Sequence, residues 1–345
     1  MGRIVFTENI PFDMKVWQQR EDFVEVYAGS DCIMARCADG TVLRKCRSRA
    51  RVWDTASDSA LRNEGLRGPD EGRIESWRHV RQISLSLQIP GLALGLTPEG
   101  RCVALLPPDR LGSEDRCSIC ETIENWRELA EVSATNDLFA LTRDGRVLQW
   151  TFPERRGLWN ESMKFYHYPC DVWRNITHLR GGIWDISGMT REGQAFYTER
   201  CSGSLPGRRT SGWESGRARD MLFGTSAETP PSLTPEEERK SRTFSGVLDL
   251  TPFGTSEPTL VVKRDHVLYW EPSSDRRPIC QGVERVFACG YEAVALTTDR
   301  RLIPVLPLDN RWAELEGWRG IVSAAIGHVD WDPAAHFVVA VTEEG

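Results

Sequence analysis

The chain repeats itself seven times, and this internal repeat limits the possible folds more than any other feature of the sequence. Residues 126–150 read WRELAEVSATNDLFALTRDGRVLQW, and similar segments recur along the chain. The other copies span 22–46, 77–106, 173–198, 247–270, 283–306 and 318–345. A repeat of this kind predicts similar small units that bury their apolar surfaces against one another.

Each copy contains three short apolar runs separated by small or polar residues. The runs are rich in Val, Ile, Leu, Phe and Ala, which indicates strands rather than helices. Between the second and third runs, four copies carry an acidic residue followed by glycine, a dipeptide typical of tight hairpins: Asp39-Gly40, Glu99-Gly100, Asp144-Gly145 and Glu192-Gly193. Copies five and six align Asp265 and Arg300 with the glycine, so we expect less ideal turns there.

The basic spacing of these turns is about 45 residues, the period of a β-propeller blade, with room for a fourth strand in each connector. We therefore predict an all-β fold, a single seven-bladed β-propeller over residues 1–345. The last copy stops at its turn, Glu344-Gly345, whereas Arg3-Ile4-Val5 resembles Arg146-Val147-Leu148. Because a closed ring leaves no unpaired edge, we expect the N-terminal strand to complete the last blade.

The best-formed copies also resemble a known family. The segments FALTRDGRVLQW (139–150) and VALT (294–297) are similar to the regulator-of-chromosome-condensation repeat, and the resemblance extends over residues 1–345. It implies a seven-bladed propeller that serves as an interaction platform. The glycine that usually follows the tryptophan is absent after Trp150 and Trp270. A divergent binding propeller therefore fits better than a nuclear exchange factor.

Charge and apolar patterning limit the partners and the compartment. The chain has 43 Lys and Arg against 50 Asp and Glu, a net charge of −7 that makes nucleic acid an unlikely partner for the chain as a whole. The longest apolar stretch, 83–96, contains polar residues and Pro90, so we expect no membrane span. The N-terminus lacks the apolar core of a secretory signal. We therefore expect a cytoplasmic monomer whose ten cysteines are reduced.

The sequence carries no catalytic motif for nucleophilic hydrolysis or for binding nucleoside phosphates. Cys117 and Cys120 have the spacing of half a zinc site, but no second pair completes it. We therefore expect no catalytic residue, no metal and no cofactor, and we interpret the chain as a non-enzyme. The alternative is a carbohydrate-active or other hydrolytic propeller built on paired carboxylates, whose separation a sequence does not reveal.

Tryptophans at fixed repeat positions are expected to pack between blades rather than bind a ligand. These are Trp77, Trp126, Trp150, Trp173, Trp270 and Trp318. Tryptophans elsewhere are better anchors for a partner if they are exposed, because Trp and Arg are common at interface hot spots. This second group contains Trp53, Trp159, Trp184, Trp213, Trp312 and Trp331.

Two insertions, at about 47–76 and 201–245, interrupt the repeats, and repeat proteins often bind partners through such connections. We predict that another protein binds there and on the propeller rim. The candidate partner-binding residues are Trp53, Arg208, Arg209, Trp213, Arg217 and Arg219. Two alternatives remain: the basic insertion docks on chromatin or other nucleic acid, or both insertions are surface loops without a partner.

Overall fold

The residues that this computed structural model describes form seven antiparallel sheets, one for each sequence repeat. The described residues are 2–46, 53–54, 71–107, 112–135, 137–150, 173–182, 186–198, 246–252, 259–271, 278–290, 292–306, 310–329 and 336–343. The predicted all-β class is confirmed. Among the described residues, no helix combines the length and the apolar character needed to cross a membrane.

The strands are short, as the apolar runs predict. In chain order they are β1 Arg3–Phe6, β2 Phe23–Gly29, β3 Cys32–Cys37, β4 Val42–Cys46, β5 Trp53–Asp54, β6 Glu71–Ile74, β7 Gln82–Leu85, β8 Ala93–Leu96, β9 Cys102–Leu106, β10 Leu129–Ala134, β11 Leu138–Thr142, β12 Val147–Trp150, β13 Ile176–Gly181, β14 Ile186–Thr190, β15 Ala195–Thr198, β16 Val247–Pro252, β17 Thr259–Lys263, β18 Val267–Glu271, β19 Pro278–Gln281, β20 Val283–Cys289, β21 Glu292–Thr297, β22 Leu302–Leu306, β23 Ile321–Gly327 and β24 Phe337–Thr342.

Within each sheet, neighbouring strands are consecutive in the chain, except for β1, β5 and β6. The first six sheets are β2-β3-β4-β6, β7-β8-β9-β5, β10-β11-β12, β13-β14-β15, β16-β17-β18-β19 and β20-β21-β22. The seventh is β23-β24-β1, in which Ile4 lies opposite Val341 and Val5 opposite Ala340. Strands β5 and β6 both come from the first insertion, and each forms the outer edge of a different sheet.

Neighbouring sheets pack face to face in a circular order. The first strands contact one another in the sequence β2, β7, β10, β13, β16, β20, β23 and again β2. The apolar core is accordingly a series of layers between sheets; one layer joins Phe337 and Val339 of the seventh sheet to Val26 and Ile33 of the first. The inner strands thus enclose a central channel.

The repeated tryptophans have different environments. Trp77 packs on Gly95 and Trp173 on Gly188, so closely that an added Cβ would lie 3.0 Å and 2.9 Å from the two rings. Trp126 is also buried. This packing agrees with the expected structural role of these three residues.

One prediction about tryptophan exposure, that Trp270 packs between sheets, needs correction. Trp150 is buried and its indole Nε1 donates to Ser118 Oγ of a helix that covers it, whereas Trp270 at the same repeat position is 39% exposed. Trp312, which we considered as a possible exposed anchor, is 2% exposed and lies in the apolar layer that contains Leu315. The local repeat pattern does not reveal which tryptophans a neighbouring element covers.

In the described part of the chain, two α-helices interrupt the sheets, α1 (Lys15–Gln18) and α2 (Ser113–Asn125). We did not predict α2 from the sequence, and it occupies a connector where we expected room for a fourth strand. Ile119 and Ile123, four residues apart, place their side chains in the layer between the second and third sheets. Cys117 and Cys120 lie on α2 as free thiols. Short 3-10 helices span Glu75–Trp77 and Asn310–Gly317.

The hairpin turns connect each sheet to the next one. Gly100, Gly145 and their equivalents have positive φ, and the glycine carbonyl accepts a bond from the next inner strand, as in Ile176 N to Gly145 O at 3.1 Å. In the fifth copy, His266 and not Asp265 occupies the glycine position, with a φ of 61°. Asp265 takes the acidic position instead, because its Oδ1 accepts from Val267 N. Arg300 has a φ of 60°, so the sixth turn is non-ideal as expected.

The expectation that all cysteines are reduced is wrong in one case. Cys32 and Cys46 lie opposite each other on β3 and β4, and their sulfur atoms form a disulfide. Register between neighbouring strands brings the two side chains together although they are 14 residues apart. The free cysteines of the described residues are Cys37, Cys102, Cys117, Cys120, Cys280 and Cys289.

Replacing Gly145 by alanine should destabilise the fold by about 3 kcal/mol. The turn has a φ of 82°, and an added Cβ would lie 2.9 Å from the Asn175 Cα atom of the next sheet. Gly317→Ala is the matched control, because its Cβ meets no atom within 4 Å. Urea unfolding should show a loss for the first variant only; equal stabilities would contradict the assigned turn contact.

Candidate functional site: the central channel

The inner strands share a β-bulge near their starts. In six of the seven sheets the register shifts after the first residue of the inner strand. The shift turns the third residue of the strand toward the channel. The residues at this position are Glu25, Glu131, His178, Asp249, Arg285 and Ser323. In the second sheet Gln82, the first residue of β7, lines the channel.

Several of these side chains bind the backbone of the adjacent inner strand. Four contacts have the same form: Val132 N donates to Gln82 Oε1 at 3.0 Å, Leu179 N to Glu131 Oε2 at 2.6 Å, Val286 N to Asp249 Oδ2 at 2.9 Å, and Val26 N to Ser323 Oγ at 3.2 Å. We call these contacts the inter-sheet brackets. Each satisfies a backbone donor that faces the channel and fixes the register of two neighbouring sheets.

The channel has a volume of about 830 Å³ and a mixed lining of charged, polar and apolar side chains. Its acidic and basic lining residues are Glu25, Arg81, Glu131, His178, Arg180, Asp249, His266, Glu284 and Arg285. Much of this charge is locally paired. His178 Nδ1 lies 2.7 Å from Glu131 Oε1, and Arg180 Nε lies 3.7 Å from Asp249 Oδ1.

Burial and pairing shift the pKa values of Asp249 and His178 in the channel. Burial raises the pKa of Asp249, against the opposing effects of Arg180 and the Val286 N–H donor. The hydrogen bond to Glu131 raises the pKa of His178, against the opposing effect of its own burial. Asp249 is therefore easier to protonate than an ordinary aspartate, and His178 is easier to protonate than an ordinary histidine.

These contacts differ from those of a hydrolytic pair of carboxylates. A glycosidase needs two carboxyl groups that face one substrate, one of them a proton donor with a raised pKa. Asp249 has a raised pKa, but its contacts are Arg180 and a backbone N–H. Within the part of the chain that the structure describes, no three His, Cys, Asp or Glu side chains form a group that could hold a metal ion.

The predicted partner-binding residues lie away from the channel or outside the described residues. Trp53 belongs to β5, opposite Leu106 at the outer edge of the second sheet. The remaining candidates, Arg208, Arg209, Trp213, Arg217 and Arg219, lie outside the described residues, as does the whole second insertion. The structure therefore locates only Trp53 of the six candidates, and their grouping into one site stays a prediction.

We did not predict the inter-sheet brackets from the sequence, although the repeat contains a signal for them. The first four residues of most inner strands follow the order apolar, variable, polar, apolar, as in Leu129-Ala130-Glu131-Val132 and Val247-Leu248-Asp249-Leu250. Regular alternation would place the two apolar residues of such a segment on opposite faces of the strand. Both are buried, which requires the bulge.

Comparison with known proteins supports the fold. No protein-family model and no curated protein matches the chain. The structure of yeast RCC1 (Prp20) with bound Kap60 aligns with 96% of this chain and 82% of that chain, at 8% identity and a TM-score of 0.51. A second structure of Saccharomyces cerevisiae Prp20p covers 94% of this chain and 69% of that one, at 11% identity and a TM-score of 0.39.

The CRINKLY WD40 ectodomain of the Arabidopsis thaliana receptor kinase ACR4 covers 83% of both chains, at 13% identity and a TM-score of 0.43. At these identities the comparison concerns the fold alone. The chain has an RCC1-like repeat propeller fold, in agreement with the resemblance found in its sequence.

Removing the Asp249 carboxylate should destabilise the protein by about 2 kcal/mol, because Asp249→Ala leaves the buried Val286 N–H without its acceptor. Asp249→Asn keeps an acceptor oxygen without the charge that burial disfavours, so its loss should be less than half as large. Urea unfolding of both variants tests this expectation. Equal losses would show that charge, and not the bracket, is the important feature.

His178 should contribute stability that depends on pH. Its pKa is raised in the folded state, so the contribution is complete below the unfolded-state pKa near 6.5 and disappears as the pH rises through the folded-state pKa. The side chain is 52% exposed, so we expect less than about 1 kcal/mol. The stability difference between the unchanged chain and His178→Gln should therefore shrink between pH 5.5 and pH 8.5. A constant difference would contradict the Glu131 pairing.

Proposed function

We propose that the chain is a seven-bladed propeller, closed by its N-terminal strand, that acts as a non-enzymatic platform for another protein. The observation that carries this proposal is the use of the channel's polar side chains. Gln82, Glu131, Asp249 and Ser323 bind the backbone of the adjacent sheet and are committed to holding the ring together. Such a ring supplies a rigid frame, and its outer connections are left for binding.

Contacts between the first and seventh sheets support the closed ring. Strand β1 pairs with β24, and Gly2 N also donates to Phe23 O of β2 at 2.8 Å. A second link joins the same sheets at the other end of their inner strands, where Asp31 N donates to His328 O at 3.0 Å. Strand β1 thus connects two neighbouring sheets that are distant in sequence.

We assign partner binding to the two insertions, at about 47–76 and 201–245. The described parts of the first insertion, β5 and β6, are outer strands of the second and first sheets. This insertion therefore leaves the propeller at its rim and not in the channel. Trp53 at the start of β5 belongs to this rim, and we place Arg208, Arg209, Trp213, Arg217 and Arg219 on the same binding surface. The yeast RCC1 structure offers a precedent for a protein partner, since Kap60 is bound in it.

A protein partner fits the charge better than nucleic acid does. The net charge of −7 opposes association with a phosphate backbone. A hydrolytic activity remains the alternative from another class, but the contacts of Asp249 do not favour it. A monomeric, cytoplasmic protein without a cofactor remains the prediction.

Replacing Arg208, Arg209 and Trp213 together by alanine should reduce capture of a protein partner from host extract at least about tenfold, because hot-spot residues carry most of the binding energy. Thermal stability should not change. The matched control replaces Arg143, Arg191 and the exposed Trp270, which removes the same side-chain types from described turns and a strand.

Capture is measured by quantitative mass spectrometry, with and without nuclease. Loss of capture in the first variant alone supports the assigned surface. Equal capture by both variants and the unchanged chain would discard that surface. If nuclease treatment abolishes capture, the partner is nucleic acid and not protein.

A further inference from the structure

The disulfide between Cys32 and Cys46 joins the beginning of β3 to the end of β4 within the first sheet. Both residues are buried, Cys32 completely and Cys46 with 6% exposure. Their side chains belong to the apolar layer between the first and second sheets, together with Met34 and Trp77. Cys46 is therefore the slightly more exposed residue of the pair.

An arginine donates directly to this disulfide. Arg44 Nε lies 3.0 Å from Cys46 Sγ. Burial lowers the pKa of Arg44 to about 10, and among the described residues no carboxylate pairs with its guanidinium group. A neutral disulfide sulfur is a weak acceptor, whereas a thiolate is an anion and a much better partner for a guanidinium. The environment of Cys46 therefore favours the reduced, ionised sulfur more than an apolar environment would.

We propose that Cys32 and Cys46 form a thiol–disulfide exchange site that reacts with small-molecule thiols of the glutathione class, with Arg44 as the positioning residue. The site is independent of the proposed partner surface. It would allow the first sheet to exist in an oxidised, cross-linked form and a reduced form with two thiols.

The exchange proceeds in two balanced steps. A glutathione thiolate attacks Cys46 Sγ, the bond between the two cysteine sulfurs breaks, and Cys32 leaves as a thiolate that takes up a proton. A second glutathione thiolate then attacks the glutathione sulfur of the mixed disulfide, which releases oxidised glutathione and the Cys46 thiolate beside Arg44. Two electrons pass from two glutathione molecules to the protein disulfide, and oxidised glutathione reverses both steps.

Other cysteines of the described residues provide internal references. Cys102 and Cys289 are buried, and burial raises the pKa of both thiols, which makes them poor nucleophiles. Cys117 is exposed on α2 and reports the reactivity of an accessible thiol. The proposal therefore predicts redox-dependent labelling at Cys32 and Cys46 that Cys102 and Cys289 do not show.

The experiment equilibrates the full chain in glutathione buffers of different ratios, quenches with acid, alkylates the unfolded protein and measures each cysteine by mass spectrometry. In the unchanged chain, Cys32 and Cys46 should pass together from disulfide to thiols within the accessible range of glutathione ratios. Persistence of the disulfide in a large excess of reduced glutathione would overturn the proposal. Two free thiols in every buffer, including fully oxidised glutathione, would also overturn it.

The role of Arg44 is tested separately with two substitutions. Arg44→Met should shift the equilibrium about tenfold toward the disulfide and slow its reduction by a similar factor, because the cation that favours the thiolate is lost. Arg44→Lys retains the charge, so its thiol–disulfide equilibrium and its rate of reduction should lie close to those of the unchanged chain. Near-ultraviolet circular dichroism establishes that each variant is folded. The glutathione titration of the unchanged chain does not depend on either variant. Equal behaviour of the Met and Lys variants would remove Arg44 from the site.

Discussion

Each sheet of this protein depends on contact with two neighbours, because a sheet of three or four short strands cannot bury both of its faces. The circular order of the inner strands supplies both neighbours to every sheet. The hydrophobic effect is the main source of stability, yet it is non-directional and does not define how far one sheet slides along the next. Directional contacts between sheets must fix that register.

Two sets of hydrogen bonds fix the register between neighbouring sheets, and they lie at different positions along the inner strands. At the hairpin turns, backbone carbonyls such as that of Gly145 accept from the next inner strand. Along the channel, the inter-sheet brackets use side chains such as Glu131 and Asp249. The brackets place charge in a partly buried environment, which explains the raised pKa of Asp249 and the pairing of Glu131 with His178. The polar lining of the channel therefore has a structural cause.

The structure assigns different roles to cysteines that look alike in the sequence. Cys102 and Cys289 pack as small apolar residues, whereas Cys32 and Cys46 face each other across two strands beside a guanidinium. The difference depends on strand register and on the position of Arg44, and neither can be inferred from cysteine spacing. The partner-binding surface at the rim and the thiol-exchange site in the first sheet are consequently separate proposals on one frame.

The sequence by itself determined the all-β class, the strand order within each repeat and the positive φ of the turn glycines, because these depend on local apolar patterns and on the freedom of glycine. The similarity of Arg3-Ile4-Val5 to the third strand of a repeat also predicted that the N-terminal strand pairs with the last repeat, and β1 does pair with β24. Tertiary structure alone decided that α2 covers Trp150 while Trp270 is exposed, that His266 occupies a glycine position, and which polar side chains became brackets. These features depend on which surfaces meet across neighbouring sheets, and such contacts between residues distant in sequence leave only weak traces in the local pattern.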